Sequence, residues 1–216
     1  MFAATNIQEF FPTPIWTVDL DPAFAAALNA QLLSDIDRMT SPRPAIPQGS
    51  TWQTEPDMHK RPQFKNLTEV LRQAISGVLR FLEIDYKDFV LTSCWCNFNP
   101  SGGLNSAHTH PNNYISGVYY IDTPVGADCI EFTDPRPGAV ANLARAKNYN
   151  RLNGNRVSVQ TKAGRIVLFP AWLSHSVPVN RTNRERVSIA FNATFTDYAE
   201  TMSPVLWKGT LPFKSA

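Results

Sequence analysis

Cysteine is scarce in this chain of 216 residues, which has three of them, Cys94, Cys96 and Cys129. An odd number of cysteines with C-x-C spacing is untypical of a disulfide framework, and also of zinc sites that are built on C-x-x-C pairs. We therefore predict buried, reduced thiols, as in a cytoplasmic protein.

Long hydrophobic runs are also missing. No uninterrupted apolar stretch approaches the roughly 20 residues that a membrane-spanning helix needs. Residues 1–19 include Glu9 and Asp19, and no basic cluster precedes an apolar run as it would in a secretory signal. We expect a soluble, unexported, cytoplasmic protein without a membrane partner.

Neither sign of charge dominates, because 20 Lys and Arg residues stand against 18 Asp and Glu residues. This balance does not favour nucleic acid as a partner. The length suits one domain with one substantial core. We predict a single domain, 1–216, with an N-terminal strand and helical layer (1–88), a jelly-roll core (89–196) and a C-terminal tail (197–216). The sequence is compatible with a homodimer and does not determine the oligomeric state.

Two helices are predicted in the N-terminal layer. Asp21 followed by Pro22 is a typical helix start, and apolar residues at helical spacing extend this helix over 22–39. A second helix, over 67–82, has its apolar residues on one face. Between the two, residues 41–63 contain five prolines, which predicts an ordered but irregular loop.

From residue 89 onward the hydrophobic period becomes alternating, which predicts strands. We therefore predict a mainly β fold with flanking helices. The strands would form a β-sandwich or a jelly-roll, cupin-like barrel, with two or more N-terminal helices packed on one sheet. In the last strand, apolar residues occupy one face, while Arg186, Ser188, Ala190 and Asn192 occupy the other. Either a barrel wall with a polar lumen or a strand with one wet face explains this pattern. The predicted strands are 89–98, 114–121, 129–132, 156–160, 165–169, 175–179 and 186–195.

Three of the four histidines fall in a pattern typical of a metal site. His108 and His110 are two residues apart, so on an extended strand their imidazoles project to the same side and can converge on one ion. Pro111 biases His110 towards that conformation. His175, from an opposite strand, would complete a three-residue face and leave positions open for dioxygen or substrate. Solvated loop histidines are the alternative interpretation.

Arg186 and Ser188 share a strand face and could form an anion site. A guanidinium inside a barrel is costly unless it meets an anion, and its planar fork suits a carboxylate. The Ser188 hydroxyl can add one donor to the same group. Alternatively, Arg186 is an edge residue that pairs with Glu185 or Asp197 at the surface.

The order and spacing of these segments over 89–196 resemble the iron(II)- and 2-oxoglutarate-dependent oxygenases, especially their prolyl-hydroxylase-like branch with its group in phages and marine bacteria. The resemblance rests on 108–122, 164–170, His175 and the triplet that begins at Arg186. It implies a double-stranded β-helix with His108 and His175 as ligands of Fe(II). It also implies that Arg186, Ser188 and Tyr120 hold the far carboxylate of 2-oxoglutarate.

His110 departs from the family, whose middle ligand is usually the acid of a His-x-Asp or His-x-Glu motif. A neutral imidazole in that place removes one negative charge from the iron's ligands, which weakens the retention of a hard divalent ion. Three interpretations remain: His110 is the third ligand, water fills the position, or Glu131 or Asp134 reaches in from a neighbouring strand. We favour the first, because the spacing already places His110 on the ligand face.

The resemblance implies a dioxygenase that hydroxylates an unidentified substrate with dioxygen and converts 2-oxoglutarate to succinate and CO2. Trp95 and Asn97 share a strand face before the histidines and are candidate pocket residues, although core packing explains Trp95 equally well. Trp172 is a candidate rim residue because it lies near His175 in sequence. The alternatives are a three-histidine cupin-type iron dioxygenase that does not use 2-oxoglutarate, and a non-catalytic jelly-roll binding module.

Overall fold

The computed structural model, which describes residues 4–141 and 144–198, has ten strands in two antiparallel sheets. The six-stranded major sheet has the order β1-β8-β5-β10-β3-β2, and the four-stranded minor sheet has the order β4-β9-β6-β7. The two sheets are consistent with the predicted jelly roll. The strands are β1 Trp16–Asp19, β2 Trp52–Gln53, β3 Phe89–Asn99, β4 Asn105–His108, β5 Ile115–Asp122, β6 Cys129–Thr133, β7 Arg156–Gln160, β8 Arg165–Pro170, β9 His175–Val177 and β10 Arg186–Phe195.

Both predicted helices form, as α1 (Pro22–Thr40) and α2 (Lys65–Phe81), and a short α3 spans Pro137–Ala141. The Asp21 carboxylate accepts hydrogen bonds from the backbone N–H groups of Ala23 and Phe24, both at 3.0 Å, which satisfies two donors that no helical carbonyl can reach. None of these helices is long and apolar enough to cross a membrane, within the part of the chain that the structure describes.

One face of the major sheet shares a hydrophobic cluster with the two long helices. The cluster joins Leu28 and Leu32 of α1 and Leu71 and Ile75 of α2 to buried side chains of the central strands. Each fully buried aliphatic side chain of this kind contributes about 1.5–3 kcal/mol relative to an exposed one. The sheet residues in this cluster include Ile115, Tyr119, Ile121, Ile166, Leu168, Val187, Ile189 and Phe191.

The opposite face of the major sheet points to the interior between the sheets. There, Tyr120 and Phe169 join Ile130, Phe132 and neighbouring residues in a second, smaller cluster. The alternation predicted for 186–195 is therefore a barrel wall: its apolar side chains lie under the helices, and its polar side chains face the interior.

Three strands were not located from the sequence. β1 and β4 have four residues each and β2 has two, so they show almost no periodicity. β2 lies inside the predicted irregular loop and pairs with β3 through Trp52↔Phe98 and Gln53↔Asn97. The loop is thus anchored to the major sheet, which places Gln53 beside the interior.

The turn at Gly164, which has a φ of +80°, joins strands of different sheets. The strand before it, β7, belongs to the minor sheet, and the strand after it, β8, belongs to the major sheet. Such a connection turns the chain from one layer of the jelly roll to the other.

The predicted tail, 197–216, lies outside the described residues except for Asp197 and Tyr198.

Candidate active site

The three predicted histidines meet at one place in the interior. The nitrogens that His108, His110 and His175 can offer as ligands all lie within 4.8 Å of one another. The register of the minor sheet explains part of this, because His108 of β4 is directly opposite His175 of β9. The backbone N–H of His110 donates to the carbonyl of Ala171 at 2.9 Å, which holds the residue beyond β4 on the same side. This proximity makes the three histidines a group that could hold one metal ion.

Backbone carbonyls orient two of the rings. His108 Nδ1 lies 2.7 Å from the carbonyl oxygen of Ser106, and His175 Nδ1 lies 3.0 Å from that of Leu173. When each Nδ1 carries the proton and donates it, Nε2 is left with the lone pair that a metal needs. His110 forms no such ring hydrogen bond with a described residue, and its ring packs 5.9 Å from that of Trp95.

Burial favours the neutral form of two imidazoles. Desolvation, with a smaller contribution from the proximity of His108, lowers the pKa of His110 to about 4. Desolvation also lowers the pKa of His175 to about 4, partly opposed by its hydrogen bond to Leu173. Both rings are therefore neutral at physiological pH, which is the state that binds a divalent metal.

No carboxylate of the described residues belongs to the histidine group. Glu131 instead lies 3.3 Å from the guanidinium of Arg156. Asp134 accepts from Arg136 at 2.6 Å and 3.0 Å, and this guanidinium lowers the pKa of the Asp134 carboxyl. Each of the two acids considered as a third ligand thus already has a cationic partner.

Arg186 is buried in the same cavity, with 2% of its surface exposed. Its guanidinium donates only long hydrogen bonds. The acceptors are the carbonyl oxygens of Cys129 at 3.3 Å and Ala127 at 3.5 Å and the side-chain oxygen of Asn99 at 3.4 Å. Its Nε has no hydrogen-bond partner within the described part of the chain. Desolvation lowers the pKa of Arg186. No carboxylate in 4–141 or 144–198 forms a salt bridge with it, so the alternative of surface pairing does not describe this arginine.

The Tyr120 hydroxyl is a second buried polar atom of this cavity for which the described residues offer no hydrogen-bond partner. Tyr120 lies on β5 directly opposite Ser188 of β10. Burial raises the pKa of its phenol, so the hydroxyl keeps its proton and remains a donor. Buried polar groups are nearly always hydrogen-bonded in native proteins, because an unmade hydrogen bond costs about 1–3 kcal/mol. The free Nε of Arg186 and this hydroxyl therefore fit an anionic ligand between them.

Polar side chains form a row across four strands of the major sheet. Tyr120, Ser188, Asn97 and Gln53 are successive neighbours in the register of β5, β10, β3 and β2. Asn97 Oδ1 accepts from Gln53 Nε2 at 2.7 Å and from Trp95 Nε1 at 3.2 Å. The row connects the arginine end of the cavity with its outer opening.

The structure thus brings eight of the nine predicted site residues to one cavity, whose lining includes the three histidines, Tyr120, Arg186, Ser188, Trp95 and Asn97. Trp172 is not among the lining residues, and 56% of its surface is exposed, because it sits on the turn between β8 and β9. Nearness in sequence to His175 was a poor guide here. Gln53 was missed; its only signal is the pair Trp52-Gln53 within a proline-rich run.

Residues 93–192 match the model of a family described as "Putative 2OG-Fe(II) oxygenase". All residues of the histidine and arginine sites fall in this segment. The resemblance to this family is therefore confirmed, and so is the prediction of an oxidoreductase enzyme. The family's description names both predicted cofactors, iron and 2-oxoglutarate.

Several solved structures have a similar fold. The α-ketoglutarate-dependent epimerase SnoN from nogalamycin biosynthesis has a TM-score of 0.61 at 16% identity, over 85% of this chain and 79% of that one. HygX from Streptomyces hygroscopicus, with nickel and 2-oxoglutarate bound, has a TM-score of 0.60 at 13% identity, over 85% and 83%. A prolyl-4-hydroxylase from Pseudomonas putida has a TM-score of 0.58 at 15% identity, over 85% and 93%. No curated protein sequence matches the chain.

Proposed function

From the match of residues 93–192 to the 2OG-Fe(II) oxygenases, we propose that the protein is an Fe(II)- and 2-oxoglutarate-dependent dioxygenase that hydroxylates a carbon of its substrate. The overall reaction is R–H + O2 + 2-oxoglutarate → R–OH + succinate + CO2. One observation carries the proposal: a group of three histidines and a buried arginine that has no carboxylate partner among the described residues line the same cavity.

His108, His110 and His175 would hold the iron. Their nitrogens are close enough for one ion, and two of the rings have backbone acceptors that direct Nε2 to the centre. Three protein ligands leave the remaining coordination positions open, as the activation of dioxygen requires. The bound iron supplies the dioxygen chemistry; the chain supplies orientation and a site shielded from water.

Arg186 and Tyr120 would hold the far carboxylate of 2-oxoglutarate. The guanidinium is a fixed cation without a carboxylate partner among the described residues, and the Tyr120 hydroxyl is a proton-bearing donor beside it. Ser188 lies on β10, two residues from Arg186 and directly opposite Tyr120 of β5, and its hydroxyl can contribute a third donor. A carboxylate would give these donors the partner that they lack, and charge-assisted bonds of this kind are among the stronger ones in proteins.

His110 is proposed as the third ligand in place of the family's usual acid. Glu131 and Asp134 are paired with arginines, and neither belongs to the histidine group. The metal centre would then have one negative charge fewer than a centre with two histidines and one carboxylate. We expect it to retain Fe(II) more weakly than such a centre does.

A three-histidine iron dioxygenase that does not use 2-oxoglutarate is the second candidate, because the same histidine group lacks a carboxylate. In that enzyme Arg186 would bind a carboxylate of the substrate itself.

Single-domain organisation, cytoplasmic location and a homodimer remain predictions.

The two candidates differ in their response to 2-oxoglutarate. Under anaerobic conditions, adding Fe(II) and then 2-oxoglutarate should produce a metal-to-ligand charge-transfer band, and admitting air should release succinate. Arg186→Ala should lose the band at moderate 2-oxoglutarate concentration. Arg184→Ala is the matched control, since Arg184 lies two residues away and pairs with Asp122 at the surface.

Iron binding without the band and without succinate would contradict the use of 2-oxoglutarate and favour the second candidate. Failure to bind iron would leave only a non-catalytic jelly-roll module.

The third ligand is tested by the iron content of His110→Ala, Glu131→Ala and Asp134→Ala. Loss of iron in the first alone supports His110, and full iron content in it removes His110 from the centre.

A further inference from the structure

A groove opens to solvent in front of the histidines. Its volume is about 740 Å³, and it is lined by residues 49–51, Gln53, Trp95, residues 104–108 and His110. We call it the mouth. His108 is exposed in it, and His110 is half-buried. The mouth lies at the outer end of the polar row, opposite the buried arginine.

Resting on the proposed function, we propose that the mouth binds the substrate and that the substrate is a neutral, hydroxyl-rich ring, that is, a carbohydrate or a glycoside. Gln53 in the mouth and Asn97 in the adjoining histidine cavity would bind its hydroxyl groups, and Trp95, which lines both, would contact its C–H faces.

Charge is the first reason for this choice. Of the residues that the structure describes, no Asp, Glu, Lys or Arg lines the mouth. The nearby ionic pairs Asp134–Arg136 and Glu9–Arg151 line a separate cavity of about 550 Å³ that contains none of the three histidines. A charged substrate in the mouth would lose hydration without gaining an opposite charge, which is unfavourable, whereas a neutral substrate avoids this cost.

The amide groups are the second reason. Because Asn97 Oδ1 already accepts from both Gln53 and Trp95, the orientation of this amide is determined, and its Nδ2 is the end left for a ligand. That Nδ2 has no partner among the described residues, and neither has the Oε1 of Gln53. A free donor and a free acceptor on adjacent amides suit neighbouring hydroxyl groups, since a hydroxyl can both donate and accept.

Trp95 is the third reason. It is half-buried, it lines the mouth, and its ring lies 5.9 Å from that of His110. The hydrogen bond from its Nε1 to Asn97 fixes the indole plane. An oriented aromatic side chain beside polar groups offers a ligand one apolar surface and several specific hydrogen bonds. A sugar ring has both kinds of surface.

The test uses protein loaded with Zn(II), a diamagnetic substitute for iron, and with 2-oxoglutarate. The probes are four neutral glycosides (methyl glucoside, methyl galactoside, methyl mannoside and maltose), the charged glucuronic acid, and the blocked dipeptide acetyl-Gly-Pro-amide. Binding is measured by saturation-transfer NMR and by titration. We expect at least one glycoside to bind at least tenfold more tightly than glucuronic acid and the dipeptide.

Gln53→Ala and Trp95→Phe should weaken that glycoside's binding at least tenfold and threefold, respectively. Gln53 is exposed, so its truncation should not disturb folding, and zinc content verifies that Trp95→Phe keeps the metal site. Trp172→Ala is the control, since this tryptophan is exposed outside the mouth. With Fe(II) in air, the glycoside that binds should also raise the rate of succinate release.

Binding of none of the glycosides, or tighter binding of glucuronic acid or the dipeptide, would overturn the proposed substrate class. Glycoside binding that Gln53→Ala and Trp95→Phe leave unchanged would overturn the assignment to the mouth. The charge-transfer band of the Fe(II) protein with 2-oxoglutarate separates these results from failure of the proposed function. If the band forms and no glycoside binds, the present inference fails alone.

Discussion

The two faces of the major sheet are built from the same strands but serve opposite requirements. On the helix face, Val187, Ile189 and Phe191 of β10 are buried among apolar side chains. On the interior face, Arg186 and Ser188 of the same strand are equally buried but polar. The helix face stabilises the folded protein, because its apolar side chains are removed from water. The second keeps polar atoms without partners, which costs stability unless a ligand binds them. Substitutions on the helix face should therefore affect unfolding, and substitutions on the interior face should affect ligand binding.

Phe191→Ala should have the largest effect of the single changes considered for this contrast. Phe191 is 1% exposed in the helix-side cluster, so truncation leaves a cavity that its neighbours fill only in part. We expect a loss of about 3–5 kcal/mol in the free energy of unfolding, measured by urea denaturation. Under conditions in which the variant is folded, its affinity for 2-oxoglutarate should remain close to that of the wild type. A large loss of affinity would mean that the two faces are not independent.

Arg186→Met reverses this pattern. Removing the guanidinium should weaken 2-oxoglutarate binding at least 100-fold, which corresponds to about 2.7 kcal/mol. Without 2-oxoglutarate, the melting temperature should stay the same or rise, because a desolvated cation with incomplete hydrogen bonding is replaced by an apolar side chain. The Arg184→Met variant should change neither quantity appreciably. A fall of several degrees in the melting temperature of Arg186→Met would assign a structural role to this arginine.

Gly117→Ala sharpens the comparison at one position of β5. A Cβ on Gly117 would lie 2.3 Å from Cζ of the Phe191 ring, so the ring or the strand would have to move. We expect a loss of about 1–3 kcal/mol in the free energy of unfolding, as is usual for overpacking. Pairing it with Phe191→Ala provides a double-mutant cycle: the cost of Gly117→Ala should largely vanish when the ring is absent. If the two losses in the free energy of unfolding are additive, the strain caused by Gly117→Ala does not involve the Phe191 ring.

Tyr120→Phe should give the smallest effect. The change removes one hydroxyl that has no hydrogen-bond partner among the described residues and leaves the ring in place. Binding of 2-oxoglutarate should weaken by about 0.5–1.5 kcal/mol, the value of one hydrogen bond, while the free energy of unfolding stays equal or increases slightly. Isothermal titration and urea denaturation on the same samples measure both. Unchanged affinity would show that Tyr120 does not contact the cosubstrate.

The periodic parts of the fold were predictable because their signals are local. α1, predicted over 22–39, spans Pro22–Thr40, and the strand predicted over 186–195 has the same bounds in β10. β2 could not be located, because its two residues become a strand only by pairing with β3. For the same reason Gln53 was missed. Trp172, predicted as a rim residue, does not line the cavity, because the direction in which a turn points its side chains depends on how the two flanking strands meet.

The sequence by itself determined which kinds of side chain are available and which of them share a strand face. The His-x-His spacing and the alternation after residue 186 indicated a metal site and a polar lumen. Only the tertiary structure decided that His175 lies opposite His108, that Glu131 and Asp134 pair with arginines, and that Arg186 lacks a carboxylate partner among the described residues. The physical reason is that these contacts join residues far apart in the chain. Their geometry follows from the register of paired strands, which no local pattern encodes.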